Sequence, residues 1–136
     1  MKISLLNRTI ALSILFMTLT SFYQPGTLQG TWEYAGDIFN GKKEGAPTEY
    51  ALHRKYTETN FEAFVIEKGY EPEKYETGNY TLNADTCLET QTWCAQPSKQ
   101  LNITVHYHYS ISNDTLTLKG VLPDGENVEE YWKRIK

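Results

Sequence analysis

The stretch LNITVHYHYSI, residues 101–111, decides the fold. Its apolar and aromatic residues occupy every odd position, while the even positions carry asparagine, threonine, histidine and serine. Successive side chains of a β-strand point to opposite sides, so this alternation predicts a long strand with one buried and one solvent-exposed face. The pair Asn113-Asp114 predicts a tight turn, and residues 115–122 predict the returning strand of a hairpin.

Short alternating or aromatic-rich segments occur along the whole chain and are mostly separated by tight turns. They predict strands at residues 28–34, 48–57, 60–67, 77–82, 86–93, 101–111, 115–122 and 128–135. Short turns make neighbouring strands antiparallel, and pairing the first strand with the last removes both exposed sheet edges. We therefore predict an all-β fold, an eight-stranded antiparallel up-and-down barrel, with a β-sandwich as the alternative. The polar residues 37–47 are expected to form a solvated loop, and residues 71–73 to start a single helical turn.

The N-terminus predicts export. Lys2 and Arg8 accompany an apolar run over residues 10–19, which is the pattern of a secretory signal peptide. The run is shorter than the roughly 20 apolar residues that a membrane span requires. We expect residues 1–24 to be the signal peptide and residues 25–136 to be one barrel domain, located in the periplasm or outside the cell. The exact cleavage site stays open.

Charge and cysteine content narrow the possible functions. The net charge of −4 and the dispersed lysines and arginines argue against nucleic-acid binding, which uses a basic patch. Export permits a disulfide between Cys87 and Cys94. Seven residues of straight strand would span about 23 Å, whereas bridged Cα atoms lie within about 7 Å. The bond therefore requires a turn between the two cysteines, and two buried free thiols are the alternative.

Both ends of the barrel domain carry residues that resemble the lipocalin pattern. Gly30-Thr31-Trp32 resembles the first-strand motif whose tryptophan closes the barrel floor, and Arg134 resembles the arginine that stacks across it. Glu130 and Trp132 share the strand face of Arg134, so Trp32, Glu130, Trp132 and Arg134 are assigned to the barrel floor. Alternatively, the faces of this strand are reversed, and Glu130 and Arg134 are exposed to solvent.

The chain as a whole is similar to small secreted lipocalin-like domains of unknown function that are common in Bacteroidetes-type bacteria. The segments that carry this resemblance are residues 28–34, 55–61, 77–90, 109–120 and 128–135. The resemblance implies a lipocalin-like barrel and an exported protein, and it implies no established activity.

Charged residues at apolar-face positions indicate a binding site inside the barrel. Arg54 lies between Leu52 and Tyr56, and Glu89 follows Cys87 by two residues. Because buried charges are costly unless they are paired, we expect Arg54 and tyrosine hydroxyls to hold the acidic or polar head group of a small amphipathic ligand. The predicted ligand-binding residues are Tyr50, Arg54, Phe64, Tyr80, Glu89, Tyr107 and Tyr109. A purely structural role of these charges is the alternative.

The sequence gives little support for a metal site, a cofactor or catalysis. His106 and His108 have a spacing that can bind a metal with a third ligand, but they share their face with polar residues and are expected to be solvent-exposed. We predict no metal and no cofactor. The serines lack a nucleophile-elbow context, and no phosphate-binding glycine loop occurs, so we predict that the protein is not an enzyme.

The sequence thus predicts an exported, non-enzymatic binding protein, a monomer or weak dimer, that holds a small hydrophobic or amphipathic ligand in a barrel cavity. The alternative is a protein-interaction or inhibitor module that acts through the rim loops 35–47, 67–76 and 94–100. A cavity of about 300 Å³ or more would favour the ligand. A filled barrel with an apolar patch on its rim would favour the protein partner.

Overall fold

The computed structural model describes residues 27–136, so the predicted signal peptide at 1–24 lies outside the described residues. The described part contains strands and no helix. The strands are β1 (Gly30–Phe39), β2 (Lys42–Gly45), β3 (Ala51–Tyr56), β4 (Asn60–Ile66), β5 (Glu73–Asn83), β6 (Thr86–Cys94), β7 (Thr104–Ser112), β8 (Thr115–Val121) and β9 (Asn127–Ile135). Across residues 27–136, no helix is long and apolar enough to cross a membrane.

Antiparallel pairing closes these strands into a barrel. The ring runs β1-β3-β4-β5-β6-β7-β8-β9, and β9 pairs back onto β1. This closing pair extends from Thr31↔Ile135 to Phe39↔Val128. The predicted eight-stranded up-and-down barrel is confirmed, and the β-sandwich alternative is excluded because the first and last strands are joined.

β2 is an additional strand that sequence analysis missed. The region predicted as a loop at residues 37–47 instead forms a hairpin, in which Gly36 pairs with Gly45 and Phe39 pairs with Lys42. Asn40 and Gly41 make its turn with φ values of 48° and 81°. Asn-Gly is a strong signal for a two-residue hairpin turn, and here it outweighs the polar composition of the flanking residues.

β1 has two neighbours on one edge and a bulge on the other. Gly30–Glu33 pairs with β3, and the later half of β1 pairs with β2. On the opposite edge, where β1 pairs with β9, the register shifts at Tyr34/Gly36. Gly36 has φ 122°, and a Cβ atom there would lie 2.6 Å from the carbonyl oxygen of Glu44. Only glycine fits this close approach without strain.

Some strands begin at other residues than predicted, most notably β7 and β5. β7 starts at Thr104, and Leu101 and Ile103 are 42% and 43% exposed instead of buried. Asn102 adopts φ 60° and donates its backbone N–H to the Gln91 carbonyl at 2.7 Å, which turns the chain before the strand begins. The predicted helical turn at residues 71–73 is also wrong, because Glu73 already pairs with Val65 as the start of β5.

The alternation of β7 places its aromatic face in the core. Val105, Tyr107 and Tyr109 are buried, whereas His106 and His108 are exposed. Partners from the neighbouring strands fill the same interior, among them Leu116 and Leu118 of β8. The odd-numbered side chains of the stretch 101–111 therefore point into the barrel from residue 105 onward.

Candidate functional site

Trp32 and Arg134 seal one end of the barrel. The Arg134 guanidinium carbon lies 4.1 Å from the centroid of the Trp32 ring, a cation–π contact worth about 1–2 kcal/mol. The Trp32 indole donates to the Leu28 carbonyl at 2.8 Å. Arg134 donates to the carbonyls of Gln29 at 2.9 Å and Thr27 at 3.1 Å. The segment before β1 is thereby fastened across this end.

Glu130 and Trp132 lie farther inside than the assigned barrel floor. Two residues of a strand span about 7 Å, so Trp132 and then Glu130 lie progressively farther from Arg134 along β9. Trp132 packs edge-on against Tyr34, with ring centroids 5.2 Å apart. Its indole donates a 2.9 Å hydrogen bond to Glu130 Oε2. Both residues therefore belong to the interior cluster around Arg54, and their assignment to the floor is corrected.

Arg54, on β3, is the centre of that cluster and is only 7% exposed. Its Nη1 lies 3.2 Å from Glu89 Oε2, and its Nη2 lies 3.6 Å from Glu76 Oε2. The other Glu89 oxygen accepts a 2.6 Å hydrogen bond from the Tyr56 hydroxyl. The guanidinium of Arg54 is therefore occupied by carboxylates of the protein, which revises the expectation that it holds an acidic head group of a ligand.

Aromatic rings complete the surroundings of Arg54. Its guanidinium carbon lies 4.8 Å from the Trp132 ring centroid and 5.0 Å from that of Phe61. Phe61 also packs against Tyr56 at 5.9 Å. These apolar neighbours exclude water, which strengthens the electrostatic interactions of the buried ion pairs.

Burial dominates the titration of the carboxyl groups in this cluster. Desolvation raises the pKa of Glu89, and the Arg54 charge and the Tyr56 hydrogen bond oppose that rise. Desolvation likewise raises the pKa of Glu130 against the opposing effects of Arg54 and Trp132. Burial and the nearby Glu89 charge raise the pKa of Tyr56, so this tyrosine stays protonated and acts as a hydrogen-bond donor.

The barrel interior carries more acidic than basic groups. Asp37 pairs with Glu130 in register between β1 and β9, so both carboxylates face the same side of the sheet. Glu76 and Glu89 join them through their contacts with Arg54. Three carboxylates, those of Glu76, Glu89 and Glu130, thus surround one arginine, and Asp37 lies beside Glu130. Arg54 alone is positively charged among the described residues that line the cavity beside this cluster.

That cavity has a volume of about 130 Å³. Its charged and amide-bearing walls are Arg54, Glu76, Glu89, Gln91, Gln100 and Glu130. Phe61, Ile103, Val105 and Tyr107 supply its apolar walls. The volume is smaller than the 300 Å³ or more that is typical of drug-sized ligand sites, and it is close to that of an engineered cavity of about 150 Å³ that holds benzene.

Buried polar atoms without a hydrogen-bond partner lie in this region. Within residues 27–136 they are Gln91 Oε1, Asp37 Oδ1 and Arg54 Nε. Gln91 is 9% exposed and lines the cavity. Leaving such an atom unpaired costs about 1–3 kcal/mol, so each one calls for a partner. Two of the three are acceptors.

The structure brings some of the predicted site residues together. Arg54, Glu89 and Tyr107 line the cavity. Tyr80 and Tyr109 are buried but belong to the core beside it. The Tyr80 hydroxyl donates to the Thr57 carbonyl at 2.5 Å, and its ring meets the Tyr56 ring edge-on at 5.0 Å.

Two other predicted residues do not reach the cavity. Tyr50 precedes β3 and is 41% exposed. Phe64 pairs with His53, whereas the neighbouring pair Arg54↔Ala63 faces inward, so Phe64 lies on the outer face of the sheet. There the Lys74 ammonium lies 5.8 Å from its ring centroid. Phe61, three residues earlier, takes the interior position that was expected of Phe64.

Sequence analysis missed several residues that line the cavity, among them Phe61, Glu76 and Gln91. Strand periodicity could have identified two of them. Glu76 stands two residues before Gly78 and four before Tyr80, which are both buried, and Gln91 stands two residues after Glu89. Glu76 was overlooked because β5 was expected to begin at residue 77.

The cysteines and histidines do not line the cavity, although the Cys87 thiol lies 3.9 Å from Glu89 Oε1. Cys87 and Cys94 are free thiols, Cys87 buried and Cys94 half-buried, and both belong to the uninterrupted strand β6. His53 contacts Glu33 at 2.8 Å, and His108 contacts Asp85 at 3.0 Å. The described residues contain no group of three or more His, Cys, Asp or Glu residues that could hold a metal ion.

Comparisons with known proteins do not place the chain in a family. No family model matches it. No curated protein matches it either. Among solved structures, a crystal structure of a mutant of the fluorescent protein UnaG is similar, with 12% sequence identity over 80% of this chain and 96% of that chain and a TM-score of 0.40. The fold assignment rests on the strand pairing of the chain itself.

Proposed function

We propose that this chain is an exported, non-enzymatic binding protein of the small secreted bacterial lipocalin-like type, and that it holds a small molecule in the cavity beside Arg54. The observation that carries the proposal is the combination of a cavity of about 130 Å³ with Gln91 on its wall, whose buried Oε1 has no hydrogen-bond partner among residues 27–136. A polar ligand gives this atom the partner that the protein does not supply.

The geometry favours binding over catalysis. The strongest candidates for acid–base chemistry, Glu89 and Tyr56, are hydrogen-bonded to each other, and Glu89 is also paired with Arg54. Groups held in this way support the walls of a site. The cluster therefore serves as a rigid polar frame for a ligand.

The volume sets the size of the ligand. A molecule of about five to eight non-hydrogen atoms fills a cavity of this size, by comparison with benzene in a cavity of about 150 Å³. The expected ligand is thus smaller than a fatty acid or a pigment. Its apolar part would contact Phe61 and Val105, and its polar part would face Gln91 and the carboxylates.

Native mass spectrometry of the protein purified from its own host tests this proposal. We expect a species heavier than the mature polypeptide by the mass of one small molecule, and loss of that increment after collisional activation. A Val105→Trp variant, which fills the cavity, is expected to lack the increment. A protein that carries no added mass, and that binds no member of a fragment library by NMR, would contradict the proposal.

Exposed apolar side chains on the rim favour a second candidate, a protein-interaction module. Tyr70 is 76% exposed, and Trp93, Leu101 and Ile103 are 42–44% exposed, in or beside the rim loops 67–76 and 94–100. Large exposed aromatics are frequent anchors of protein interfaces. Cross-linking in the native host, comparing the unaltered protein with Tyr70→Ser, tests it: loss of one specific adduct in the variant would support a partner protein.

A further inference from the structure

The charges that line the cavity determine which ligand chemistry it accepts. Glu89 has both carboxylate oxygens engaged, one by Arg54 and one by Tyr56. Glu76 has a longer contact with Arg54, at 3.6 Å. The nitrogen that approaches Glu130 is the uncharged indole nitrogen of Trp132, at 2.9 Å. One arginine therefore compensates Glu89 and part of Glu76, and no cation within 4 Å compensates Glu130 among residues 27–136.

A carboxylate withdrawn from water without a paired cation is costly, and Glu130 is half-buried on the cavity wall. Uptake of a proton relieves this cost, and so does a cation that enters beside the carboxylate. Desolvation raises the pKa of Glu130, and the charge of Arg54 opposes that rise. A bound cation would add to the effect of Arg54 and favour the carboxylate form.

Gln91 provides an independent indication of the same ligand chemistry. Its Oε1 is buried, has no partner and accepts hydrogen bonds. Together with Glu76 and Glu130 it gives the cavity a wall of acceptors, whose complement is a group with several N–H donors. Arg54 Nε is an unpartnered donor in the same cluster, but its guanidinium lies over the rings of Phe61 and Trp132.

From these observations we infer that the cavity takes a small organic cation, an alkylammonium or amidinium group of about five to eight non-hydrogen atoms, bound by Glu130, Glu76 and Gln91. This inference rests on the proposed function and specifies its ligand class. The cation is organic because the described residues offer no cluster that could hold a metal ion, and because Phe61, Val105 and Tyr107 supply an apolar wall for a hydrocarbon part.

A matched series of three probes tests the inference: butylammonium, butan-1-ol and butanoate, which share a four-carbon skeleton and differ in charge. Binding to the purified, exported protein is measured by isothermal titration calorimetry in phosphate buffer at pH 7.5, since Tris is itself an organic cation. We expect butylammonium to bind at least about tenfold more tightly than butan-1-ol, and butanoate to bind no more tightly than the alcohol.

Two variants locate the site. Glu130→Gln keeps the shape and a hydrogen-bond acceptor but removes the charge, and it should weaken butylammonium binding at least about tenfold and butan-1-ol binding by much less. Glu129→Gln is the matched control, because Glu129 is the preceding residue of β9 and pairs with Lys119 on the outer face. It should not alter the affinity for butylammonium.

A third variant tests the role of Gln91, and a folding measurement controls for misfolded variants. Gln91→Leu removes the unpartnered acceptor without changing any charge, and it should reduce the affinity for butylammonium several-fold. Thermal unfolding followed by circular dichroism verifies that each variant is folded, and the comparison of the three probes on the unaltered protein does not depend on any variant.

The outcomes separate the two proposals. If butan-1-ol or butanoate binds as tightly as butylammonium, the inference is overturned and the proposed function stands. If none of the probes binds, the inference is also overturned, and native mass spectrometry then decides whether the barrel holds a ligand of another class. An equal loss of affinity in Glu129→Gln and Glu130→Gln would contradict the location of the site.

Discussion

The Tyr56 hydroxyl donates a 2.6 Å hydrogen bond to Glu89 Oε1, and Arg54 Nη1 lies 3.2 Å from the other oxygen of the same carboxylate. β3 and β6 supply these groups from positions more than 30 residues apart. Both side chains are hydrogen-bonded to Glu89 before any ligand arrives, so this part of the barrel interior is organised in advance.

Replacement of Arg54 by methionine should destabilise the protein strongly. Arg54→Met retains much of the side-chain volume but leaves Glu89 and Glu76 without their cation. Removing one partner of a buried ion pair typically costs about 3–5 kcal/mol, which should appear as a lower urea midpoint in equilibrium unfolding. Lys55→Met, at the exposed neighbouring position of β3, should change the free energy of unfolding by less than about 0.5 kcal/mol. Equal effects of both substitutions would contradict the paired role of Arg54.

The closed end of the barrel can be tested independently of the cavity. Arg134→Ala removes the stacking on Trp32 and the hydrogen bonds to the carbonyls of Gln29 and Thr27. We expect a loss of about 2–3 kcal/mol in the free energy of unfolding, measured by urea denaturation. Lys133→Ala, which is exposed on the same strand, serves as the control. A change below about 0.5 kcal/mol in Arg134→Ala would show that this end does not depend on the arginine.

Glu130 should make the stability of the protein depend on pH. Burial raises the pKa of Glu130 above its ordinary value of 4.5, so the folded state binds its proton more tightly than the unfolded state. The stabilisation is present in full below pH 4.5 and is lost as the pH rises through the raised folded-state pKa. The groups that act on Glu130 are Arg54, Glu76 and Asp37, and Trp132 donates to it.

Glu130→Gln should remove this dependence. The variant resembles the protonated side chain at every pH, so it should match the unaltered protein at acidic pH and become relatively more stable as the pH rises above 4.5. Urea unfolding between pH 4 and pH 8 measures the difference. The Glu129→Gln variant should follow the unaltered protein. A difference between Glu130→Gln and the unaltered protein that shrinks with rising pH would have the wrong sign.

The two cysteines should differ in reactivity. Burial, with a further effect of the nearby Glu89 carboxylate, raises the pKa of the Cys87 thiol and suppresses its thiolate, whereas Cys94 is half-buried at the end of β6. A colorimetric disulfide reagent should therefore titrate one thiol in the native protein and two after denaturation without reductant. Finding no thiol after denaturation would show that Cys87 and Cys94 are bridged. Rapid labelling of both in the native state would contradict the burial of Cys87.

Strand alternation predicted much of the fold because one face of most strands is buried. The pattern from Val105 to Tyr109 determines the faces of β7 and, through pairing, those of its neighbours. The hairpin that contains β2 was missed because the four residues of that strand are all exposed and have no apolar side to reveal it. Its signal was the Asn40-Gly41 turn, which does not depend on burial.

The site was predicted less completely, for a different physical reason. Strand alternation identified Arg54 and Glu89 as inward-facing, but it does not reveal which charged groups pair with each other. That pairing depends on strands far apart in the chain, as in the contact of Arg54 with Glu76 of β5. The excess of carboxylates over arginine became visible only when these strands were brought together, and it is the basis on which we infer a cationic ligand.

A crystal structure of the exported protein grown with butylammonium chloride tests the central claim most directly. We expect a closed barrel with Arg54 against Glu89, and electron density for one butylammonium ion whose nitrogen lies within hydrogen-bond distance of Glu130 and Gln91. A barrel in which Arg54 points to solvent, or one whose interior stays free of the ion while butylammonium binds elsewhere, would contradict it.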